Sequence, residues 1–485
     1  MKANTIPEDW WPRLSETIAE KMGLDFSPAR RADLLRGLTN AAEELGFADA
    51  AECADWLLSS SPGKAQMHVL ASHLTVGETY FFRERKTFDA LRTQVLPGIV
   101  RNRRESGLRL RIWSAACCSG EEAYSLAILL REVIPDLANW HVTILATDIN
   151  DQFLKKGAAG VYSRWSFRET PPEFRDRYFT QTPDGRFAIL PEIKEQVTFA
   201  HLNLVEDVFP ALATDTNAMD LLLCRNVLMY FTEPQVRKVV ANLHRSIVDG
   251  GWLVVSPSEV SQRLFPMFKP ANFPGAILYR KYRPNERHEP IWEPPPLEPA
   301  IPLASLVPLP IAQPLPEIVD APLPVDIAAR LYDEGRYSDA AQALLSAPPS
   351  TSAEFSLLSR ALANHGELAE ALKWCDRWLA EDKLDASGHY LRAVVLQELG
   401  DREDATRSLQ RAIYLRPELV LAHFALGNLS RAEGRIPEAD KHFTNALRQL
   451  RKLPPDESLP ESDGLTAERL TEIVLSLLSV EAVHE

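Results

Sequence analysis

Two glutamates at the start of a predicted helix suit a positively charged ligand. Glu121 and Glu122 directly follow the loop SAACCSG. Carboxylates in a first helical turn repel a phosphate but attract an ammonium or sulfonium group. The loop contains a single glycine, Gly120, and therefore lacks the GxGxxG pattern of dinucleotide sites. Glu122 also has a structural interpretation, because a glutamate at this position stabilises its own helix.

An aspartate at the end of the next apolar run suits a ribose. Asp148 ends HVTILATD, and an acidic residue at such a strand end is placed to accept two hydrogen bonds from a ribose diol. Its structural alternative is capping of a turn. Together with Glu122, Asp148 indicates an adenosine ligand that carries a positive charge.

A doubly wound α/β sheet is needed to bring these residues together. From Leu108 onward, short apolar runs alternate with helical segments, which is typical of this fold. The predicted strands are RLRIWSAA, HVTILATD, QVTFAHLNL, MDLLLCRNV, GWLVVSP and AILYRKY. A cofactor would lie at their carboxyl ends. The long stretch between the second and third strands predicts an inserted subdomain at about residues 160–195.

Two further segments flank this sheet domain, which we assign to residues 75–283. Residues 1–74 read as a helical domain, with one helix beginning after Ser27 as N-cap and ending at Gly46. Residues 284–324 hold thirteen of the 36 prolines and no glycine, which predicts a semi-rigid polyproline spacer. The spacer divides the chain into two functional halves.

The C-terminal half contains an internal repeat. Glycines separated by 31, 34 and 34 residues are each followed five residues later by an alanine; they are Gly335, Gly366, Gly400 and Gly434, with Ala340, Ala371, Ala405 and Ala439. The pattern resembles tetratricopeptide repeats, pairs of antiparallel helices that cross at small residues. We assign the repeats to residues 325–456 and a capping helix to 457–485. The first repeat is short, and its second helix is curtailed.

Composition excludes several classes of function. The net charge of −14 repels nucleic acid. Five scattered cysteines without a CxxC pair indicate free thiols and neither a disulfide framework nor a zinc site, so we expect no metal. No signal peptide or long apolar run is found, so we expect a cytoplasmic protein without membrane insertion. Cys117 and Cys118 read as packing residues and not as nucleophiles.

Four ordered motifs resemble one enzyme family. TVGETYFFRER at 75–85, RIWSAACCSGEEAYS at 111–125, TDIN at 147–150 and LLCRNVLMYF at 222–231 are similar to those of the chemotaxis receptor methyltransferase (CheR) family. The resemblance covers about residues 15–283. It implies an S-adenosyl-L-methionine-dependent protein-glutamate O-methyltransferase, which methylates the cytoplasmic helices of chemoreceptors and releases S-adenosyl-L-homocysteine.

The resemblance also implies roles for individual residues. Arg83 and Tyr230 are expected at the reacting end of the cofactor. The implied cofactor-binding residues are Gly77, Thr79, Arg83, Glu122, Asp148, Asn203, Leu204, Arg225 and Asn226. Gly77 departs from the asparagine common in the family, and Pro257 from a common histidine. Arg30 and Arg36 lie off the apolar stripe of their helix and are expected to dock the acidic receptor.

The implied reaction depends on alignment. A glutamate is already ionised at pH 7, so its carboxylate needs positioning and a dry site more than a general base. The repeats are expected to bind a further signalling protein. Two alternatives remain at this stage, a cofactor-binding scaffold without turnover and, less favoured, a methyltransferase for nucleic acid or a small molecule, although no basic stripe supports a nucleic-acid substrate.

Overall fold

The computed structural model describes residues 6–60, 62–105, 107–205, 209–282, 324–346, 349–462 and 464–478. The predicted linker therefore lies outside the described residues, apart from Pro324, where a helix begins. No helix in the described ranges combines the length and the apolar character that crossing a bilayer requires.

The N-terminal part is helical, as predicted. Its helices are α1 (Trp10–Met22), α2 (Arg31–Leu45), α3 (Ala50–Ser59) and α4 (Lys64–Leu74). The predicted helix after Ser27 starts as a short 3₁₀ turn over Pro28–Arg30, and the Ser27 side chain makes no capping hydrogen bond there. α2 then continues to Leu45 and ends at Gly46.

The described residues form ten strands. They are β1 (Arg109–Ala115), β2 (His141–Asp148), β3 (Val161–Tyr162), β4 (Phe179–Gln181), β5 (Phe187–Ile189), β6 (Val197–His201), β7 (Met219–Cys224), β8 (Ile247–Val254), β9 (Phe268–Phe273) and β10 (Ala276–Lys281). Seven of them make one sheet in the order β6-β2-β1-β7-β8-β10-β9. The first five are parallel, and β10 and β9 are antiparallel. The doubly wound prediction is confirmed.

Two details of the sheet differ from the prediction. β9 was missed because it carries Pro270, a residue that interrupts a strand pattern and that an edge strand tolerates. β8 begins at Ile247, four residues before the predicted strand GWLVVSP, and its pairing with β7 is irregular over these added residues.

Seven helices accompany the sheet. They are α5 (Arg85–Ala90), α6 (Leu96–Glu105), α7 (Glu121–Val133), α8 (Asp151–Ala159), α9 (Pro172–Tyr178), α10 (Pro191–Lys194) and α11 (Glu233–Ser246). A five-residue π-helical turn, Leu91–Val95, joins α5 to α6. The inserted stretch carries a second, three-stranded sheet, β3-β5-β4. Phe81 stacks on Phe167 from that stretch with ring centroids 5.0 Å apart, so the insertion packs against the segment before α5.

The C-terminal part consists of paired helices. They are α12 (Pro324–Asp333), α13 (Tyr337–Ser346), α14 (Ser352–His365), α15 (Leu368–Glu381), α16 (Ala386–Glu398), α17 (Arg402–Leu415), α18 (Val420–Ala432), α19 (Ile436–Leu450) and a last helix, α20 (Ala467–Leu477). The four periodic glycines stand between the helices of each pair with φ between 74° and 92°, a region that favours glycine. The alanines that follow are buried at the crossings. α13 is the short helix that the sequence indicates.

The repeat helices pack directly on the sheet domain instead of standing apart on a spacer. Glu398, at the end of α16, forms ion pairs with Arg109 and Arg111 of β1. Both Nη1 contacts of Arg111 with the Glu398 carboxylate are 2.6 Å long. Leu212, from the loop before β7, lies in the apolar core of the repeats. The two halves therefore share a buried, charged interface.

Candidate active site

A cleft opens at the carboxyl ends of β1, β2 and β7, and the N-terminal helical part closes its other side. The space between its walls is about 1040 Å³ when the open mouth is included. Ten of the predicted residues line it; they are Arg30, Thr79, Arg83, Glu122, Asp148, Asn203, Leu204, Arg225, Asn226 and Tyr230. Gly77 and Arg36 are not among its lining residues.

Asp148 is held rigidly at the end of β2. Its Oδ2 accepts a hydrogen bond from the Cys118 amide at 2.8 Å, and its Oδ1 accepts one from the Asn150 amide at 2.9 Å. Burial raises the pKa of Asp148 to about 6, although these amides act in the opposite direction. The carboxylate is therefore ionised at neutral pH and has acceptor capacity left for a diol.

Arg225 is buried between two glutamates. Its side chain is 1% exposed and donates to Glu122 Oε2 and to Glu84 Oε2, both at 2.8 Å. Its Nη2 also donates to the Arg83 carbonyl at 2.6 Å. One guanidinium faces two carboxylates, so the cluster keeps a negative charge that suits an ammonium group. Glu84 belongs to this cluster, and the sequence analysis missed it.

Glu121 does not belong to this cluster. Its carboxylate accepts hydrogen bonds from Ser119 and Ser166 Oγ, away from the lining residues. Only the second of the two adjacent glutamates therefore faces the cleft.

Gly77 is explained by packing. A Cβ built on it would lie 2.2 Å from Cζ of Phe153, a ring that lines the cleft. The asparagine common in the family could stand here only if that ring moved. Gly77 therefore shapes the wall of the cleft without itself lining it.

The loop after β7 carries Tyr230 and is anchored by a carboxylate. Glu259 accepts hydrogen bonds from the amides of Asn226, Val227 and Met229 at 2.8, 2.9 and 3.2 Å. It also accepts from the amide and the hydroxyl of Ser256 at 3.0 and 2.6 Å. The sequence analysis missed this residue, although Ser-x-x-Glu in SPSE is a capping-box signal.

The opposite side of this loop contacts the N-terminal part. Leu24 and Phe231 form an antiparallel bridge, and the Asp25 amide donates to the Tyr230 carbonyl at 2.6 Å. The Arg30 guanidinium lies 5.5 Å from the centroid of the Tyr230 ring. Arg30 thus stands at the cleft, partly exposed, and donates to the Asp25 carbonyl at 2.7 Å.

The other predicted residues occupy different positions. Asn203 lines the cleft, but its Nδ2 donates to the Lys21 carbonyl at 2.7 Å and so ties the sheet to α1. Arg83 donates to the Glu78 carbonyl across the segment it belongs to. Arg36 is 71% exposed and donates to Asp33 at 2.6 Å.

The cysteines of the loop are unsuited to nucleophilic chemistry. Cys117 and Cys118 line the cleft. Burial raises the pKa of the Cys118 thiol to about 12 and that of Cys117 well above its usual value. Both thiols are therefore protonated at neutral pH, which agrees with a packing role.

The residues present fit the cofactor implied by the sequence. Asp148 offers an ionised acceptor for a ribose diol, and the Glu122 carboxylate, paired with Arg225, offers an acceptor in the cleft wall for an amino group. Apolar side chains, among them Ile149 and Leu202, line the cleft beside Asp148. Which of these residues touch the cofactor stays a prediction.

Comparison with known proteins agrees with the motifs. Residues 77–274 match the CheR methyltransferase, SAM binding domain. Chemotaxis protein methyltransferase 2 of Vibrio cholerae serotype O1 is 31% identical over 274 residues, which cover 56% of this chain and 92% of that protein.

One relative spans both halves of the chain. The probable biofilm formation methyltransferase WspC of Pseudomonas aeruginosa is 27% identical over 451 residues, which cover 91% of this chain and 99% of that protein. Among solved structures, a crystal structure of MamA aligns with a TM-score of 0.25 and 21% identity, over 27% of this chain and 77% of that chain.

Proposed function

Because the chain belongs to the CheR family of chemotaxis protein methyltransferases, we propose that it methylates glutamate side chains in the cytoplasmic helices of a chemoreceptor. The observation that carries the proposal is one cleft whose lining includes an ionised Asp148, Glu122 paired with Arg225, and the adjacent side chains of Arg30 and Tyr230. S-adenosyl-L-methionine, when bound, supplies a methyl group on a sulfonium centre.

The protein's own contribution is to bind, orient and exclude water. The incoming glutamate is an anion at pH 7, so no residue has to remove a proton from it. Arg30 and Tyr230 stand where a cation and a hydroxyl can hold that carboxylate. Reaction of an anion with a cation reduces charge, and a water-poor cleft therefore favours it. Arg83, on the segment that covers the cleft, is proposed to act beside Tyr230.

We expect cofactor affinity to depend on the protonation of Asp148. With a pKa of about 6, the carboxylate gains a proton as the pH falls, and a protonated acid is a poorer acceptor for a diol. The affinity for S-adenosylhomocysteine should fall about tenfold between pH 7 and pH 5, measured by calorimetry. Asp148→Asn should bind weakly at every pH with no such slope. An equally flat profile in the native protein would contradict the role of Asp148.

We expect the Tyr230→Phe variant to lose turnover and to keep cofactor affinity. Losing one hydrogen bond to a charged group costs about 1.5–3 kcal/mol, which corresponds to a turnover about 10- to 100-fold lower. Single-turnover kinetics and calorimetry separate the two quantities. Tyr414→Phe is the matched control, because Tyr414 is 86% exposed on α17. A loss confined to affinity would refute the proposed role.

We propose that Arg30 and Arg36 dock the receptor. Arg36 extends from α2 into solvent, and Arg30 lies at the cleft in the 3₁₀ turn before α2, so the pair could lead an acidic helix toward Tyr230. Replacing both with glutamate should raise KM for the receptor about tenfold at low salt and less at high salt. Arg407→Glu, on the repeats, is the control. Unchanged KM and salt dependence would remove the proposal.

We propose that the repeats bind a further signalling protein in the cytoplasm. The sheet domain covers part of the repeats through Glu398 and Leu212. Tyr414, near the end of α17, is exposed, so we take the solvent-exposed face around it as the surface for a partner. The Pseudomonas aeruginosa relative that spans both halves is named a probable biofilm formation methyltransferase. This name supports a partner from a signalling pathway that acts in biofilm formation.

The test of the function is transfer of label. The full-length protein is incubated with S-adenosylmethionine that carries a tritiated methyl group and with candidate receptors, and base-labile label is mapped by peptide analysis. Label on receptor glutamates is expected. Label on another residue type would overturn the proposal by showing a different methylation target. No label, with a cofactor that demonstrably binds, would favour a scaffold without turnover.

A further inference from the structure

The last helix, α20, contacts the main sheet at the end of β6, next to the cleft. Arg469, near the start of α20, directs its Nη2 to the His201 carbonyl at 3.2 Å and lies 3.3 Å from His201 Nδ1. The Arg469 side chain is 7% exposed and forms an ion pair with Glu472 at 2.8 Å. A buried guanidinium from α20 thus contacts the sheet domain.

His201 joins the ends of two neighbouring strands. It is the last residue of β6 and pairs in register with Asp148 at the end of β2. Its Nε2 lies 3.1 Å from the Ile149 carbonyl, which can only accept a hydrogen bond, so Nε2 carries the proton and Nδ1 is free to accept from Arg469. Burial and the Arg469 charge lower the pKa of His201 to about 4, so the ring is neutral.

The ring of His201 is also fixed from its face. His68, on α4, stacks on it with centroids 4.5 Å apart, and His68 Nδ1 lies 2.6 Å from the Asp151 carboxylate at the start of α8. The imidazole therefore has contacts on its two nitrogens and on one face. The ring therefore adds a side-chain link between the end of β6 and the Ile149 carbonyl to the backbone hydrogen bond from Leu202 to Asp148.

The residues next to these contacts line the cleft. Ile149 follows Asp148, and Leu202, Asn203 and Leu204 follow His201. We propose that Arg469 is a positioning residue for cofactor binding: through His201 it holds the ends of β2 and β6 in the spacing that the cleft needs. The repeat part would then complete the cofactor site, and a partner that moves α20 would change cofactor affinity.

This inference goes beyond receptor methylation and does not depend on it, because its readout is cofactor binding. The experiment uses full-length protein and calorimetry with S-adenosylhomocysteine. Arg469→Ala should raise Kd about three- to tenfold, and Arg469→Lys should restore part of the affinity. Turnover is measured with any protein that accepts the labelled methyl group. KM for the cofactor should rise in Arg469→Ala, while kcat at saturating cofactor changes less than twofold.

Two further variants distinguish a specific effect of Arg469 on His201 from a general weakening of the contacts of α20. His201→Ala combined with Arg469→Ala should weaken binding no more than His201→Ala alone, since both act through one ring. Arg431→Ala removes a different contact to the end of α20, with the Leu477 carbonyl at 3.2 Å, and should leave Kd unchanged. Native affinity in Arg469→Ala, additive losses in the double variant, or an equal loss in Arg431→Ala would each overturn the proposal. If Arg469→Ala does not fold, Arg469→Lys decides, with native affinity contradicting the inference.

Discussion

The Glu259→Ala variant is expected to lose methyl transfer at least about 100-fold while it still folds. The Glu259 carboxylate holds the amides of Asn226, Val227 and Met229, which form the loop that leads to Tyr230. Without it, several buried donors lose their acceptor, at about 1–3 kcal/mol each, and the loop must rearrange toward water. A displacement of about 1 Å at a reacting group is enough for a 100-fold loss.

The substitution by glutamine makes the test sharper. Glu259→Gln keeps one acceptor oxygen but turns an NH₂ group toward backbone donors, so it should restore only part of the rate. Glu233→Ala is the matched control, because Glu233 is a partly exposed glutamate whose contacts are with Arg237 and Arg263. Rates are measured with labelled cofactor, and folding is measured by thermal unfolding. Turnover near the native level in Glu259→Ala would show that other contacts hold the Tyr230 loop.

Local sequence patterns predicted the elements of the catalytic half well. Apolar runs marked six of the seven strands of the main sheet, and the end of one of them placed Asp148 at the cleft. The start of α7 was predicted at Glu121 because an acidic first turn is a local signal. β9 carried no such signal, because its proline resembles a strand breaker.

Contacts between distant segments could not be predicted in the same way. Glu84, Glu122 and Arg225 meet only after the sheet has formed, and no spacing in the sequence relates them. Arg30 and Arg36 were both predicted off the apolar stripe of their helix, yet Arg30, in the 3₁₀ turn before α2, lies at the cleft and Arg36 lies in solvent. Each of these differences comes from tertiary packing, which a single helix or strand does not encode.

The interface between the sheet domain and the repeats is also formed by residues that are far apart in the sequence. Arg109 and Arg111 stand in RLRIW, where charged residues at the start of a strand usually reach water. In the structure both are buried, and both pair with Glu398, almost 290 residues away in the chain. Arg111 also lies 3.8 Å from the Asp215 carboxylate. Although burial raises the pKa of Glu398, Arg111 and Arg109 hold it below its usual value, so the carboxylate is ionised. The proline-rich spacer gave no indication of this contact.

We therefore expect Glu398→Ala to destabilise the protein severely. The variant leaves two guanidiniums in an interface where the native side chains of Arg111 and Glu398 are 2% and 4% exposed. Removing one partner of a buried ion pair costs about 3–5 kcal/mol, because the remaining charge loses its compensation. The midpoint of thermal unfolding should fall by about 10 °C, since a loss of 1 kcal/mol lowers it by about 2–4 °C in a domain of about 150–250 residues.

Two further variants test whether unpaired charge causes the loss of stability in Glu398→Ala. Glu403→Ala removes an exposed glutamate from the next helix, where its partner is Arg407, and should shift the midpoint by less than about 1 °C. Replacing Arg109, Arg111 and Glu398 together with apolar residues of similar size should recover part of the loss, because the two guanidiniums are removed together with Glu398. The recovery is incomplete because Asp215 and the Asn217 carbonyl lose their contacts with Arg111. If the single Glu398→Ala variant unfolds at the native midpoint, the guanidiniums reach water and the two halves do not share this interface in solution. If the triple variant is no better than the single one, packing of α16 against β1, and not charge compensation, is what stabilises the contact.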